Sequence, residues 1–311
     1  MGANNSSLTG IYGGGMYVDV ELNVPLNAVI FSILLCLFSV MALSEVVSVH
    51  FPYSKFAKPE ALGELPSTFL QKAFAIQMNS RLGMFILYFV PLLCYVIIWA
   101  VFASENVAQI GMVAPSQTYS VLLFVGWCLA FGKRCFEVLF VHVYSGKIPV
   151  LSSMMITGAY SAMGLGCAAF ANQVVGYTAF DPFTRAKDIC CVIFFCIGIT
   201  VNFISHYQLR AVRIRQPGES ADAHKKYYSP SEIGWLFKVF VCPHYIFEIV
   251  MYAAWSIFGA TSVHYILGLG VFIYLSLRTR STHKWYIDRG IVKVGVQNDP
   301  NETTLSPIKS T

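Results

Sequence analysis

Residues 82–102 read LGMFILYFVPLLCYVIIWAVF, a run of 21 residues without a charged side chain. An α-helix needs about 20 predominantly apolar residues to cross the hydrocarbon core of a bilayer. A transmembrane β-strand uses a shorter segment of about 10 residues in which apolar and polar side chains alternate. The run is too long for such a strand and does not alternate, so it predicts a transmembrane helix.

Similar apolar runs occur along the rest of the chain. They lie roughly at residues 25–47, 119–140, 149–171, 189–207, 233–258 and 262–277. Hydrophobic residues make up 56% of the chain and charged residues only 12%, with a mean hydropathy of +0.60. Soluble domains carry about 25% charged residues. The sequence therefore predicts an all-α, polytopic membrane protein with about seven transmembrane helices.

The basic residues between these runs predict the orientation. Residues 1–49 and 104–118 contain no Lys or Arg, whereas both types cluster in the first and fifth connections and after the last run. Cytosolic loops are the ones enriched in Lys and Arg. With seven helices the basic segments fall on one side, so we predict a lumenal N-terminus and a cytosolic C-terminus. Arg185 and Lys187 oppose this orientation weakly.

Net charge and cysteine usage narrow the possible partners. The net charge of +5 fits basic segments beside the membrane surface and predicts a membrane-lipid partner rather than nucleic acid. The nine cysteines lie mostly within apolar runs and lack the paired spacing of metal sites. We therefore predict that they are small buried hydrophobic residues and that the protein has no metal site.

Polar residues that interrupt the apolar runs are the candidate functional residues, because ionisable groups are costly inside a membrane. Arg134 and Glu137 stand three residues apart, share a helix face and can pair. Lys133 and His142 flank them. A local ion pair at a helix end is the alternative interpretation.

A second set of polar residues forms a stripe on one helix face. His206, Leu209 and Arg213 lie four, seven and eleven residues after Asn202, which places the four on one helix face. A stripe that is half in the membrane and cationic at its end suits an elongated anion. Basic residues that merely end a transmembrane helix are the alternative.

A third set occupies residues 242–248, which read CPHYIFE. Tyr245 and Glu248 share a helix face, and polar residues of this kind are expensive in an apolar stretch unless they face a cavity. A helix kink without a functional role is the alternative. Arg278, Thr282 and Tyr286 add a fourth polar patch on the basic side.

Four motifs in series resemble the trans-2-enoyl-CoA reductases and the related steroid 5-alpha-reductases. Residues 134–149, RCFEVLFVHVYSGKIP, resemble R-x-x-E-x-L-F-V-H-x-x-S…P, and residues 202–213, NFISHYQLRAVR, resemble N-F-x-x-H-x-x-L-R-x-L-R. Residues 235–248, WLFKVFVCPHYIFE, resemble W-L-F…C-P-N-Y-x-x-E, and residues 283–286, HKWY, resemble H-[RK]-x-Y. Residues 217–219, PGE, are similar to the steroid 5-alpha-reductases. The order and spacing hold over residues 119–287.

The resemblance implies a seven-helix membrane reductase that receives NADPH from the cytosolic side. Hydride adds to the β-carbon of an alkene conjugated to a carbonyl, and a proton follows at the α-carbon. This chemistry needs a proton donor and a hydrogen bond to the developing enolate. Carried over residue by residue, the proton-donor candidates are Tyr245 and His244. The cofactor-binding candidates are Asn202, His206, Arg213, Glu248, Arg278, Tyr286 and Arg134.

The chain departs from the family pattern at four places. The tyrosine expected three residues before Arg134, a donor to the substrate carbonyl, is Phe131. A glutamate before Leu-Pro in an early helix is replaced by Phe89, the asparagine of C-P-N-Y is His244, and the segment from Asp288 onward lacks the family's basic ending. These losses argue against steroid reduction. Reduction of an enoyl thioester remains if Tyr245 or His244 supplies the proton.

The alternative function is a catalytically inactive membrane subunit of a larger complex, and an unrelated transporter is a third possibility. If the protein is an active reductase, we predict an acyl-CoA-like substrate, NADPH as cofactor and a multi-pass location in the endoplasmic reticulum membrane. If the protein is an inactive subunit, we predict other membrane subunits as partners, and an organellar inner membrane, such as the mitochondrial one, is then also a possible location. The predicted segments are 1–24 polar, 25–115 N-terminal transmembrane helices, 116–290 reductase-like transmembrane domain and 291–311 polar tail.

Overall fold

The computed structural model describes residues 72, 74–110, 115–144, 146–171, 182–214, 230–288 and 290. Four of its helices are long and apolar enough to cross a membrane, namely Ser80–Val101, Val150–Ala168, Pro182–Ala211 and Ser262–Asp288. These helices confirm the predicted all-α membrane class but do not confirm the count of seven. The predicted first helix at 25–47 and the polar segments 1–24 and 291–311 lie outside the described residues.

Two short strands accompany the helices in the described part of the chain. The strands are β1 Gln77–Asn79 and β2 Lys147–Pro149. The helices are α1 Ser80–Ile110, α2 Pro115–Phe136, α3 Val150–Ala171, α4 Pro182–Ala211, α5 Pro230–Ile233, α6 Trp235–Val239, α7 Pro243–Gly259 and α8 Ser262–Asp288. A π-helical turn, Glu137–Val141, directly follows α2.

The strands hold the beginnings of α1 and α3 together. β1 pairs antiparallel with β2, and the Val150 N–H donates to the Ile76 carbonyl at 2.9 Å. The side-chain oxygen of Asn79 accepts a hydrogen bond from the Arg81 N–H at 2.9 Å, which satisfies a donor that the first turn of α1 leaves free. As a result α1 and α3 pack against each other, and both contribute to the wall of the cavity described below.

Aromatic side chains fill the centre of the bundle. Trp127 stacks on Tyr95 at a centroid distance of 4.8 Å and on Phe131 at 4.3 Å. The indole N–H of Trp255 donates to the Leu123 carbonyl at 3.3 Å. Large apolar side chains also cover the outer surfaces of the helices, as expected where the neighbouring medium is lipid. Examples are Ile97, Leu129, Phe140, Ile193, Leu269 and Phe272.

The predicted sixth run, 233–258, is not one continuous helix. Only its second part is the long helix α7, because the backbone leaves the helical conformation at Phe240 and at Cys242. Pro243 lacks an N–H and is tolerated in the first turn of a helix, while the residue before a proline is sterically driven out of the helical region. The break places His244 and Tyr245 in the first turn of α7.

The helices α4 and α7 approach each other closely. A Cβ atom on Gly198 would lie 2.7 Å from the backbone nitrogen of Met251, so the two backbones meet only because residue 198 has no side chain. Small residues permit this kind of close approach between membrane helices. The contact matters for the site because α4 carries His206 and α7 carries Tyr245.

We expect Gly198→Leu to lower the free energy of unfolding by about 1–3 kcal/mol, because the new side chain must push α7 away from α4. The measurement is thermal unfolding of the protein in mild detergent. Gly158→Leu is the matched control, since Gly158 also lies within a helix but a Cβ there meets nothing within 4 Å. Equal loss of stability in the two variants would contradict the predicted contact.

Candidate active site

A cavity of about 260 Å³ lies among α1, α2, α3, α4, α7 and α8. Seven of the nine predicted site residues line it, so the structure brings the separate sequence motifs together at one place. These seven are Arg134, His206, Arg213, His244, Tyr245, Glu248 and Arg278. Asn202 and Tyr286 do not line the cavity.

Arg134 is the centre of a buried network of charges. Its side chain is 10% exposed, and its guanidinium group pairs with Glu248 and, at 3.3 Å, with Glu137. The pairing with Glu137 confirms the contact predicted from the spacing. A third contact, 2.6 Å long, joins Arg134 to the Nε2 atom of His206. Buried charges are tolerated when they are paired and hydrogen-bonded, and this network fixes α2, α4 and α7 around one cation.

Asn202 lies behind the cavity wall rather than in it. Its side-chain oxygen accepts a hydrogen bond from the Lys133 ammonium group, which also pairs with Glu137 at 2.7 Å. Its amide nitrogen donates to the His244 carbonyl at 2.6 Å. Asn202 thus connects α2 to the first turn of α7, next to Tyr245. Direct contact of Asn202 with a cofactor stays a prediction, as does that of the half-buried Tyr286 near the end of α8.

Tyr245 faces the cavity beside a cation. Arg278, whose side chain lies almost completely inside the protein, is its charged neighbour at the cavity wall. An adjacent guanidinium group stabilises the negative charge that remains on a phenol oxygen after its proton leaves. The His244 ring lies 4.1 Å from the Tyr245 ring, centroid to centroid. Both predicted proton donors are therefore present at the same wall.

His142 and Tyr144 lie between the π-helical turn and β2 and also line the cavity. The Nδ1 atom of His142 and the Tyr144 hydroxyl are 2.9 Å apart. Burial lowers the pKa of His142 to about 3, and the nearby cations Arg134 and Lys133 add to this effect. Burial also raises the pKa of Tyr144. Both groups are therefore neutral at pH 7 and contribute hydrogen bonds rather than charge.

Glu137, His142 and His206 place their possible ligand atoms within 4.8 Å of one another. Both oxygens of the Glu137 carboxylate, however, already bind cations, Lys133 at 2.7 Å and Arg134 at 3.3 Å. These positive charges would repel a metal ion. The arrangement of charges supports the prediction of no metal site, which stays a prediction.

Several cavity residues were not identified from the sequence. They are mostly aromatic or apolar and include Met84, Leu87, Tyr88, Tyr144, Tyr160 and Tyr274. Tyr88 and Tyr95 both interrupt the apolar run 82–102, and nothing in the run distinguishes them. Tyr95 is fully buried in the aromatic core, whereas Tyr88 reaches the cavity. The distinction depends on contacts between helices that spacing along α1 does not specify.

Phe131 does not line the larger cavity but lies in the aromatic core. It is only 3% exposed and lines a second, smaller cavity of about 30 Å³, together with Tyr160 and Tyr274. Because Tyr160 and Tyr274 line both cavities, the two are neighbours. Phe131 itself has no group that can donate a hydrogen bond.

Comparison with known proteins supports the resemblance found in the motifs. Residues 147–290 match the family described as 3-oxo-5-alpha-steroid 4-dehydrogenase. Over 160 residues the chain is 26% identical to the very-long-chain enoyl-CoA reductase of Dictyostelium discoideum, an alignment that covers 51% of this chain and 49% of that protein. The chain thus spans about half the length of the curated relative it matches. These matches confirm the predicted resemblance to this superfamily and to its enoyl-CoA reductase branch, and the similarity to the 3-oxo-5-alpha-steroid 4-dehydrogenase family extends over residues 147–290.

Proposed function

We propose that this protein is an NADPH-dependent reductase of α,β-unsaturated acyl thioesters of the trans-2-enoyl-CoA type. The observation that carries the proposal is the placement of Tyr245 and Arg278 in the same cavity as the Arg134–Glu248 ion pair. A cavity that combines a proton donor with fixed cations has the parts that conjugate reduction needs. The family match of residues 147–290 supports an oxidoreductase of this kind.

The charge of the cavity fits a phosphorylated dinucleotide. Among the residues that the structure describes, its lining contains Arg134, Arg210, Arg213 and Arg278 but only one carboxylate, Glu248. Arginine is well suited to phosphate because its guanidinium group donates several hydrogen bonds in a fixed geometry. Arg213 is exposed just beyond the end of α4 and is the best placed to meet a phosphate from the predicted cytosolic side. When bound, NADPH would supply the hydride.

The residues of the chain would perform the remaining steps. Arg134, held by Glu248 and close to His206, would bind the cofactor and place a fixed positive charge beside the substrate. Tyr245 would donate the proton to the α-carbon, and Arg278 would stabilise the resulting phenolate until solvent restores the proton. His244 is the second proton-donor candidate. Met84, Leu87 and Leu275, which also line the cavity, would keep water away from the reacting carbons.

The inactive alternative predicts a cavity filled by aromatic side chains. The aromatic core around Trp127 and Phe131 fills the centre of the bundle, but the cavity beside Tyr245 remains open, which favours the enzyme. We accordingly propose a multi-pass protein of the endoplasmic reticulum membrane, acting on acyl-CoA-like substrates in lipid metabolism such as fatty acid elongation. A topology of seven helices with a lumenal N-terminus is part of this proposal.

The first test is NADPH binding by the purified protein in mild detergent. We expect Arg213→Ala and Arg278→Ala each to weaken binding by roughly tenfold to a hundredfold, since hydrogen bonds to charged groups contribute about 1.5–3 kcal/mol. Arg280→Ala is the matched control, because Arg280 is exposed on the same helix as Arg278 and does not line the cavity.

Binding can be followed by the fluorescence of the reduced nicotinamide, with thermal unfolding as a check on folding. If the wild-type protein fails to bind NADPH at saturating concentration, the proposed function is wrong. Equal weakening by Arg280→Ala would show that general charge, rather than this cavity, binds the nucleotide.

A further inference from the structure

Conjugate reduction builds negative charge on the substrate carbonyl oxygen, and a hydrogen-bond donor at that oxygen lowers the barrier. Phe131 stands where the resemblance places the tyrosine donor. Its ring stacks on Trp127 at 4.3 Å and meets Tyr160 edge-on at 5.8 Å, deep in the core. Position 131 therefore contributes packing, and any donor must come from another element.

Tyr88 on α1 lies directly beside Phe131. The two rings are in edge contact at 6.3 Å, and Tyr88 also stacks on Tyr160 at 6.2 Å. Unlike Phe131, Tyr88 lines the larger cavity, the one that contains Tyr245. The Tyr88 hydroxyl makes no hydrogen bond to any residue that the structure describes. The phenol proton is thus available to a ligand in the cavity.

A fixed cation lies over the ring of Tyr88. The guanidinium carbon of Arg134 lies 5.7 Å from the centroid of the Tyr88 ring, and Glu248 holds that guanidinium group in place. A preorganised positive charge beside a hydrogen-bond donor stabilises negative charge that develops on an acceptor oxygen. Tyr88 on α1 and Arg134 on α2 are therefore neighbours at the cavity wall.

We propose that Tyr88 donates the hydrogen bond to the carbonyl oxygen of the unsaturated substrate, a role that Phe131 cannot fill. This inference rests on the proposed function. When bound, NADPH would supply the hydride that bonds to the β-carbon and would leave as NADP⁺; the alkene π-electrons would then move to give an enolate whose oxygen accepts the Tyr88 hydrogen bond. The Tyr245 hydroxyl then gives its proton to the α-carbon and is reprotonated from solvent. Tyr88 keeps its own proton throughout.

The test is Tyr88→Phe in the full-length protein, assayed with NADPH and a series of trans-2-enoyl-CoA substrates of different chain length. We expect kcat to fall by about 100-fold, as happens when one oxyanion donor is removed. KM and the dissociation constant of NADPH should change by less than about threefold, because the hydrogen bond strengthens only as charge develops on the oxygen. Tyr95→Phe is the matched control, since Tyr95 lies on the same helix but is buried in the aromatic core.

The outcomes separate the two proposals. If the wild-type protein reduces the substrate and Tyr88→Phe has the same kcat, the proposed role of Tyr88 is wrong, but the reductase proposal stands. A fall in NADPH affinity that accounts for the whole loss of activity would also overturn it, because the role would then be cofactor binding. Absence of NADPH binding and turnover in the wild-type protein would overturn the reductase and this inference with it.

Discussion

Tyr245→Phe is expected to lower kcat for enoyl-thioester reduction by about two to three orders of magnitude. General-acid catalysis contributes typically about 10²–10⁴-fold, and the variant removes only the phenol oxygen and its proton. The ring remains to fill its place against His244, 4.1 Å away. NADPH affinity should change little, because Arg278 and Arg213 are unaltered. The measurement is single-turnover oxidation of NADPH in the presence of a trans-2-enoyl-CoA.

Two further variants make this result specific. Tyr265→Phe serves as the control, because Tyr265 is half exposed on α8 and does not line the cavity. His244→Gln tests the second donor candidate. If His244→Gln abolishes turnover while Tyr245→Phe retains most of it, the histidine is the proton donor and the assignment to Tyr245 is wrong. If both variants lose activity to the same degree, kcat of each is compared between ordinary and deuterated water. The variant with the larger solvent isotope effect is the one in which proton transfer has become rate-limiting.

Contacts within one helix were predictable from the sequence, and contacts between helices were not. The Arg134–Glu137 pair follows from a spacing of three residues, which places two side chains on one helix face. The same rule placed Tyr245 and Glu248 together at the cavity. The Arg134–Glu248 pair joins residues 114 positions apart. Spacing carries no information about such a pair, and only the resemblance suggested that the two motifs share a site.

Local irregularities of the fold were also beyond the sequence patterns. β1 and β2 contain three residues each, too few for an alternating pattern to be recognised. The apolar run 233–258 predicted one helix, although Pro243 was the signal for a break at that point. The spacing of Asn202 and His206 predicts one helix face, and both side chains are buried on α4. The side-chain amide of Asn202, however, donates to the backbone carbonyl of His244. The side-chain type was recognised, whereas its partner depended on how α4 meets α7.

Arg134→Met is expected to lower the free energy of unfolding by about 3–5 kcal/mol, as happens when one partner of a buried ion pair is removed. The variant would leave the Glu248 carboxylate, whose side chain is 14% exposed, without its cationic partner. Glu137 would be less affected, because Lys133 still binds it at 2.7 Å. The measurement is thermal or denaturant unfolding in mild detergent. Lys284→Met provides the control, since Lys284 is exposed on α8.

The double variant Arg134→Met with Glu248→Leu separates stability from function. Apolar residues that replace both partners of a buried ion pair are often neutral or stabilising, so we expect most of the lost stability to return. NADPH affinity and turnover should not return, because the fixed cation beside Tyr88 and His206 is still missing. A double variant as unstable as Arg134→Met would contradict the coupling between Arg134 and Glu248. A stable double variant with wild-type turnover would instead show that this ion pair holds α2 and α7 together and takes no part in the chemistry.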